Sequence, residues 1–119
     1  MNFPIFSNRI FRNLPDPIVK SVGLRDFEHE VLQSDRPVLV DFWGEGCMPC
    51  RVIAPIVEKF AIDHANEVKV VKVNITKEQE LGQYFQIEAV PTLIMFKNGK
   101  GVKAVGLVKR DVLEQMLAA

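Results

Sequence analysis

The sequence predicts an α/β fold, with a mixed central β-sheet of about five strands flanked by about four helices. Short apolar runs rich in valine alternate with segments of helical periodicity through most of the 119 residues. Near the carboxyl end, Asn98 and Gly99 separate two such runs, and this pair favours the tight turn of an antiparallel hairpin. Alternation of strand and helix gives parallel strands, and the hairpin adds antiparallel ones, so we expect a mixed sheet.

The first part of the chain predicts two strand–helix units. A strand over residues 18–22 precedes a helix over residues 24–32. The apolar stripe of this helix is predicted to face the core and consists of Leu24, Phe27, Val31 and Leu32. A second strand, over residues 37–43, ends before two glycines and leads into a long helix over residues 47–64.

The second part predicts one more unit, the hairpin and a closing helix. An almost unbroken apolar strand over residues 68–74 is followed by a short helix over residues 78–85. The hairpin then pairs residues 92–97 with residues 102–105. The closing helix over residues 109–117 turns four apolar side chains inward: Val112, Leu113, Met116 and Leu117.

Composition is that of one globular domain with its own hydrophobic core. Of the 119 residues, 48% are hydrophobic and 25% are charged. The formal net charge is zero, which argues against nucleic acid or an anionic membrane as a partner. No apolar run approaches the ~20 residues that a membrane-spanning helix needs. We expect a monomer with no nucleic-acid partner and no membrane partner.

Residues 1–17 differ from the rest and are predicted to be an N-terminal extension of a domain over residues 18–119. Large apolar side chains alternate there with two arginines, and no acidic residue precedes Asp16. Pro15 and Pro17 mark the boundary. Three interpretations stay open: an extension packed on the domain or without order, a surface for a partner or self-association, and an organelle transit peptide.

The only two cysteines, Cys47 and Cys50, lie where a strand gives way to a helix. Their spacing puts both on one helical face, with Cys47 at the N-terminus, where unpaired N–H groups and the helix dipole favour a thiolate. Pro49 is tolerated in a first turn. The pair suits thiol–disulfide exchange, with Cys47 as nucleophile and Cys50 as resolving thiol. Two unrelated buried cysteines, or a metal shared between two chains, are the alternatives.

Asp41 is a carboxylate in the middle of an otherwise apolar strand. Burial there would raise its pKa and make it a proton acceptor for Cys50 near neutral pH. The alternative is a satisfied residue at a sheet edge or a cap.

An ordered set of motifs resembles the thioredoxin family. The motifs are Val-Asp-Phe-Trp at 40–43, Cys-x-Pro-Cys at 47–50, Ala-Pro at 54–55, Val-Lys-Val-Asn at 71–74, Val-Pro-Thr at 90–92, Phe-Lys-Asn-Gly at 96–99, and Gly106. They span residues 18–119, and together they are far more specific than a lone Cys-x-x-Cys. The resemblance implies the thioredoxin fold, including its sheet of five strands.

The resemblance also implies roles for single residues. Lys72 would modulate Asp41, although a solvent-facing lysine on a strand is the alternative. Pro91 would follow a cis peptide bond that leaves the backbone of Val90 free to pair with a substrate. Gly106 would let a substrate backbone approach closely, with an ordinary turn glycine as the alternative. Trp43 would pack beside the disulfide or serve only as a core aromatic, and Met48 and Pro49 would complete the substrate-binding surface.

The motif departs from the family at two positions. Thioredoxins commonly carry Trp-Cys-Gly-Pro-Cys, and here Gly46 replaces the tryptophan and Met48 the glycine. The first change removes apolar contact surface beside the nucleophile, and the second adds a flexible, polarizable side chain. We therefore expect partner choice to differ more than chemistry. Pro49 is retained, which favours a reducing protein over an oxidase or isomerase.

The predicted function is reduction of disulfides in partner proteins, with the chain acting as an electron carrier. The resemblance implies that an NADPH-dependent thioredoxin reductase regenerates the dithiol and that no cofactor or metal is bound. A cytoplasmic location is expected, because a reducing compartment would recycle the pair. The alternatives are a disulfide oxidant or isomerase, and a non-catalytic module that binds a partner on a thioredoxin scaffold.

Overall fold

A computed structural model describes residues 17–119, and within them five strands form one mixed sheet. The strands are β1 (Lys20–Ser21), β2 (Val38–Trp43), β3 (Lys69–Asn74), β4 (Thr92–Lys97) and β5 (Lys100–Val105). Their spatial order is β1-β3-β2-β4-β5, so β2 lies in the middle. It runs parallel to β3 and antiparallel to β4, which confirms the mixed sheet.

Four helices flank the sheet over the same range. They are α1 (Leu24–Phe27), α2 (Met48–Asp63), α3 (Gln79–Tyr84) and α4 (Arg110–Ala118). A π-helical segment, Glu28–Leu32, continues α1 and closes with a bond from Gln33 N–H to Glu28 O at 2.9 Å. The predicted fold class is confirmed.

Each face of the sheet carries its own hydrophobic core. On one face α2 and α4 pack through Ile53, Val57, Phe60, Leu113 and Met116 against side chains such as Leu39 and Leu93. On the other face, α1, its π-helical continuation and α3 supply Phe27, Val31 and Leu81, which pack with Val38, Val40 and Phe42. Because side chains alternate along a strand, Asp41 shares the face of Leu39 and lies on the side of α2.

The first helix presents less apolar surface to the core than its sequence pattern predicts. Phe27 and Val31 are buried, but Leu24 and Leu32 are 50% and 48% exposed, so the prediction that they face the core is wrong. Leu24 begins α1, and its N–H donates a hydrogen bond to Glu78 Oε1 at 2.9 Å. Leu32 ends the π-helical segment. The wider π turn rotates the residues after Phe27 away from an α-helical stripe.

The edge strand β1 is shorter than the predicted strand over residues 18–22. Lys20 and Ser21 form the ladder with β3, the N–H of Val22 donates to Lys72 O at 2.9 Å, and Ile18 is 53% exposed. The extension predicted for residues 1–17 lies outside the described residues apart from Pro17. Among the helices of residues 17–119, none combines the length and the apolar character that crossing a membrane requires.

Candidate functional site

The two cysteines form a disulfide at the carboxyl end of the central strand. Cys47 is the N-cap of α2 and Cys50 lies in its first turn, with their Cα atoms 5.3 Å apart. Cys47 is half-buried, whereas Cys50 is only 5% exposed. Cys47 is therefore the more accessible residue of the pair.

The start of α2 stabilises negative charge on Cys47. The backbone N–H of Cys50 donates to Cys47 Sγ at 3.1 Å, so the sulfur takes the place of a capping oxygen. The helix has 16 residues, and its dipole adds positive potential at this end. Pro49 occupies the first turn without loss of a helical hydrogen bond. The Cys50 N–H bond and the helix dipole both favour a Cys47 thiolate once the disulfide is reduced.

Asp41 is a buried carboxylate close to this disulfide. It is 5% exposed, and its Oδ1 atom has no hydrogen-bond partner among residues 17–119. Burial raises the pKa of Asp41 from 3.8 to about 6, while the positive charge of Lys72 lowers it in part. Lys72 is its register partner on β3 and is half-buried, so a purely solvent-facing lysine is a poor description of it.

A cleft of about 450 Å³ connects these groups with solvent. Its lining includes both cysteines, Asp41, Lys72 and Trp43. Asp41 and Cys50 therefore line the same solvent-connected space. Trp43 is half-buried beside the disulfide, and its Nε1–H has no partner among residues 17–119.

A backbone edge flanks Cys47 on another side. The Val90-Pro91 peptide bond is cis, as the resemblance implies, and Cys47 Sγ lies 3.7 Å from Val90 O. The N–H of Gly106 donates to Pro91 O at 2.8 Å. Gly106 has φ +90°, and a Cβ atom there would meet nothing within 4 Å, so the surface above it is open. The predicted substrate-binding residues thus lie around the accessible sulfur.

The rim beside Cys47 is open at Gly46 and carries the exposed side chain of Met48. Gly46 has φ +74° and open space where a Cβ atom would lie. Met48 is 64% exposed, and Pro49 is exposed next to it. These side chains form a surface that a partner protein would contact directly.

The sequence reading missed the residues that brace the loop before Cys47. Asn74 Nδ2 donates to Glu45 Oε2 at 3.0 Å, and the Glu45 N–H donates to Thr76 Oγ1 at 3.0 Å. Arg51 also lines the cleft. The available signal was polar side chains directly after β3, because β2 and β3 are parallel and end at the same edge of the sheet.

Over residues 17–119, no three or more histidine, cysteine, aspartate or glutamate side chains are arranged so that they could hold a metal ion. His64 instead lies between two carboxylates, at 3.1 Å from Glu67 and 2.9 Å from Glu114, far along α2 from the cysteines. Hydrogen bonds from the imidazole to Glu114 and Glu67 raise the pKa of His64.

Residues 18–119 match the family model described as Thioredoxin. The chain is 49% identical over 98 residues to a thioredoxin of Rickettsia bellii, covering 81% of this chain and 92% of that protein. It is 46% identical over 90 residues to a thioredoxin of Alicyclobacillus acidocaldarius, covering 75% and 86%. A thioredoxin 1 of Nostoc is 45% identical over 92 residues, covering 76% and 86%. The matched range contains every residue of the cleft and of the backbone edge.

Proposed function

This chain belongs to the thioredoxin family and is a thiol–disulfide oxidoreductase that reduces disulfides of protein substrates, and we propose that Cys47 is its nucleophile and Cys50 its resolving thiol. The observation that carries this assignment is the contrast between the two sulfurs. Cys47 is accessible and caps α2, while Cys50 is 5% exposed beneath it. The sulfur that attacks a protein substrate must be accessible from solvent, as Cys47 is. The sulfur that resolves the mixed disulfide needs to reach only Cys47, so Cys50 can be buried.

The first step joins Cys47 to the substrate. The Cys47 thiolate attacks one sulfur of the substrate disulfide, a new S–S bond forms, and the substrate's own S–S bond breaks. The second substrate sulfur leaves as a thiolate and takes a proton from solvent. The Cys50 N–H bond to Cys47 Sγ, at 3.1 Å, favours the attacking thiolate before this step.

The second step releases the substrate. Asp41 accepts the proton of Cys50 through the cleft that both residues line, and the resulting thiolate attacks Cys47 Sγ. The mixed disulfide breaks and the disulfide between Cys47 and Cys50 re-forms, while the substrate sulfur that was bound to Cys47 leaves as a thiolate. This thiolate takes a proton from solvent, to which Asp41 returns the proton of Cys50, and the substrate is released with two thiols. A pKa of about 6 keeps Asp41 largely ionised at neutral pH while leaving it a stronger base than an ordinary aspartate. Lys72 tunes this value through its charge.

The substrate chain binds across the surface around Cys47. The backbone of Val90, held by the cis bond to Pro91, offers hydrogen-bonding groups to an extended peptide. Gly106 leaves room for that peptide, since no side chain projects there. Trp43, Met48 and Pro49 supply the apolar contacts, with Met48 adapting to different partners.

We further propose how the cycle closes. An NADPH-dependent thioredoxin reductase returns two electrons to the disulfide, and this chain carries them through its cysteines without a bound cofactor. A cytoplasmic location and a monomeric state suit that role. The domain corresponds to residues 18–119, and residues 1–17 are its N-terminal extension.

The reduction potential of the disulfide tests this function against the oxidant or isomerase alternative. Equilibration with a dithiothreitol or glutathione series should give a value near about −270 mV, as for thioredoxin. A value above roughly −200 mV would instead place the protein with isomerases and oxidants. A Cys47→Ser variant addresses the third alternative, because a binding module would keep its cellular function and a reductase would lose it.

A further inference from the structure

An apolar groove lies between α1 and α3, on the face of the sheet opposite α2. This α1–α3 groove has a volume of about 320 Å³ and is lined by Leu24, Phe27, Glu28, Leu32, Glu80, Leu81, Tyr84 and Phe85. Leu24, Leu32 and Tyr84 are 50%, 48% and 76% exposed. A cluster of large exposed apolar side chains is typical of a surface that binds another segment of the chain or another protein.

The groove also carries two unpaired negative charges. Glu28 and Glu80 are exposed at its rim, and neither carboxylate makes a hydrogen bond or ion pair within residues 17–119. Its occupant should therefore combine large apolar side chains with positive charge.

We propose that residues 1–16 of the same chain bind in the α1–α3 groove. This segment has the required composition, since it contains Phe3, Ile5, Phe6, Ile10, Phe11 and Leu14. Its side-chain charges before Asp16 are those of Arg9 and Arg12, both positive. The arginines face Glu28 and Glu80 while the apolar side chains cover Leu24, Leu32 and Tyr84.

The connection between segment and groove favours binding within one chain. Residue 17 leads into β1 (Lys20–Ser21), and α1 starts at Leu24, shortly after that strand. Sixteen residues reach on the order of 50 Å when extended, so distance does not prevent the contact. A short tether also gives the segment an effective concentration in the millimolar range, above that of a second copy or a dilute partner.

Binding in this groove leaves the redox site uncovered. The residues that line it and the residues that line the cleft beside the disulfide have no member in common. Occupation by residues 1–16 therefore stabilises the domain and hides apolar surface without blocking substrates.

Photo-crosslinking in the full chain tests the proposal. Phe11, and in a second protein Phe6, is replaced by p-benzoylphenylalanine, and a dilute sample is irradiated, digested and mapped by mass spectrometry. The expected products join the label to groove residues of the same chain. Loss of one buried leucine contact is worth about 1 kcal/mol or more, so Leu32→Ser should weaken the association of the segment with the groove about fivefold or more and lower the yield of these products.

Ile62→Ser is the matched control, because Ile62 is also 50% exposed but lies on α2. It should leave the crosslink yield unchanged. Double substitution of Glu28→Gln and Glu80→Gln should reduce the yield and weaken its dependence on salt. Crosslinks elsewhere on the domain, products only between two chains, or no products would each overturn the proposal. If a groove variant unfolds, the map obtained with the unaltered groove still decides.

Discussion

Replacement of Asp41 by asparagine should stabilise the folded protein at neutral pH. The pKa of Asp41 is raised from 3.8 to about 6 because burial disfavours the carboxylate. Above the folded pKa this shift lowers the free energy of unfolding by its full amount. Below the unfolded pKa the effect is absent, because both states then bind the proton. A shift of about two units corresponds to ~3 kcal/mol.

The assay is urea unfolding of both proteins at pH 8 and at pH 4. Asparagine resembles the protonated carboxyl in shape and does not titrate, so the comparison isolates the Asp41 proton. The parent protein should gain about 2 to 3 kcal/mol relative to Asp41→Asn as the pH falls from 8 to 4. This difference of differences does not depend on how well the amide packs.

Parallel pH dependence of the two proteins would refute the reasoning. It would mean that Asp41 titrates equally in the folded and unfolded chain, contrary to its 5% exposure. Asp41, the residue proposed to accept the proton of Cys50, would then have an ordinary pKa. The acidic limb of the pH–rate profile would have to come from the titration of another group.

Three further predictions concern the site and the fold. Cys50→Ser should stop at a mixed disulfide with the substrate, visible as a reductant-sensitive band on a gel, and normal turnover would contradict the assigned roles. Lys72→Met should raise the pKa of the buried carboxylate beside it, so the acidic limb of the pH–rate profile should move to higher pH; an unmoved limb would exclude that coupling. Hydrogen bonds from Lys20 and Lys69 lower the pKa of Glu30 from 4.5 to about 2. The stability that the Glu30 carboxylate contributes is present above pH 4.5 and is lost as the pH falls toward 2. Glu30→Gln should therefore lower the free energy of unfolding in urea by about 2 kcal/mol at pH 7 and by much less at pH 3. An equal cost at both pH values would point to packing instead.

Periodicity was enough to predict the arrangement of strands and helices. The valine-rich runs become β2 and β3 because both are buried on two faces, and such strands read as continuous apolar segments. Asp41 could be predicted as a buried carboxylate because it interrupts such a continuous apolar segment. The end of β2 and the start of α2 then fixed the place of both cysteines.

Other features of the structure could not be predicted from the hydrophobic periodicity of the sequence. The π-helical segment Glu28–Leu32 shifts side chains by a fraction of a turn, and no residue type in it demands that shift. The Val90-Pro91 bond could be predicted as cis only from the family resemblance, because most bonds before proline are trans. The brace between Glu45, Asn74 and Thr76 depends on contacts between residues distant in sequence.

The small ring closed by Cys47 and Cys50 separates electron transfer from the integrity of the fold. The two residues are only three positions apart, and in the chain-entropy model so short a loop stabilises the folded state by on the order of 2 kcal/mol, against nearly 5 for a loop of about 100 residues. Neither cysteine belongs to either hydrophobic core, so opening this ring leaves the contacts within both cores in place. The cysteine pair can therefore be oxidised and reduced repeatedly while the fold stays the same, as an electron carrier requires.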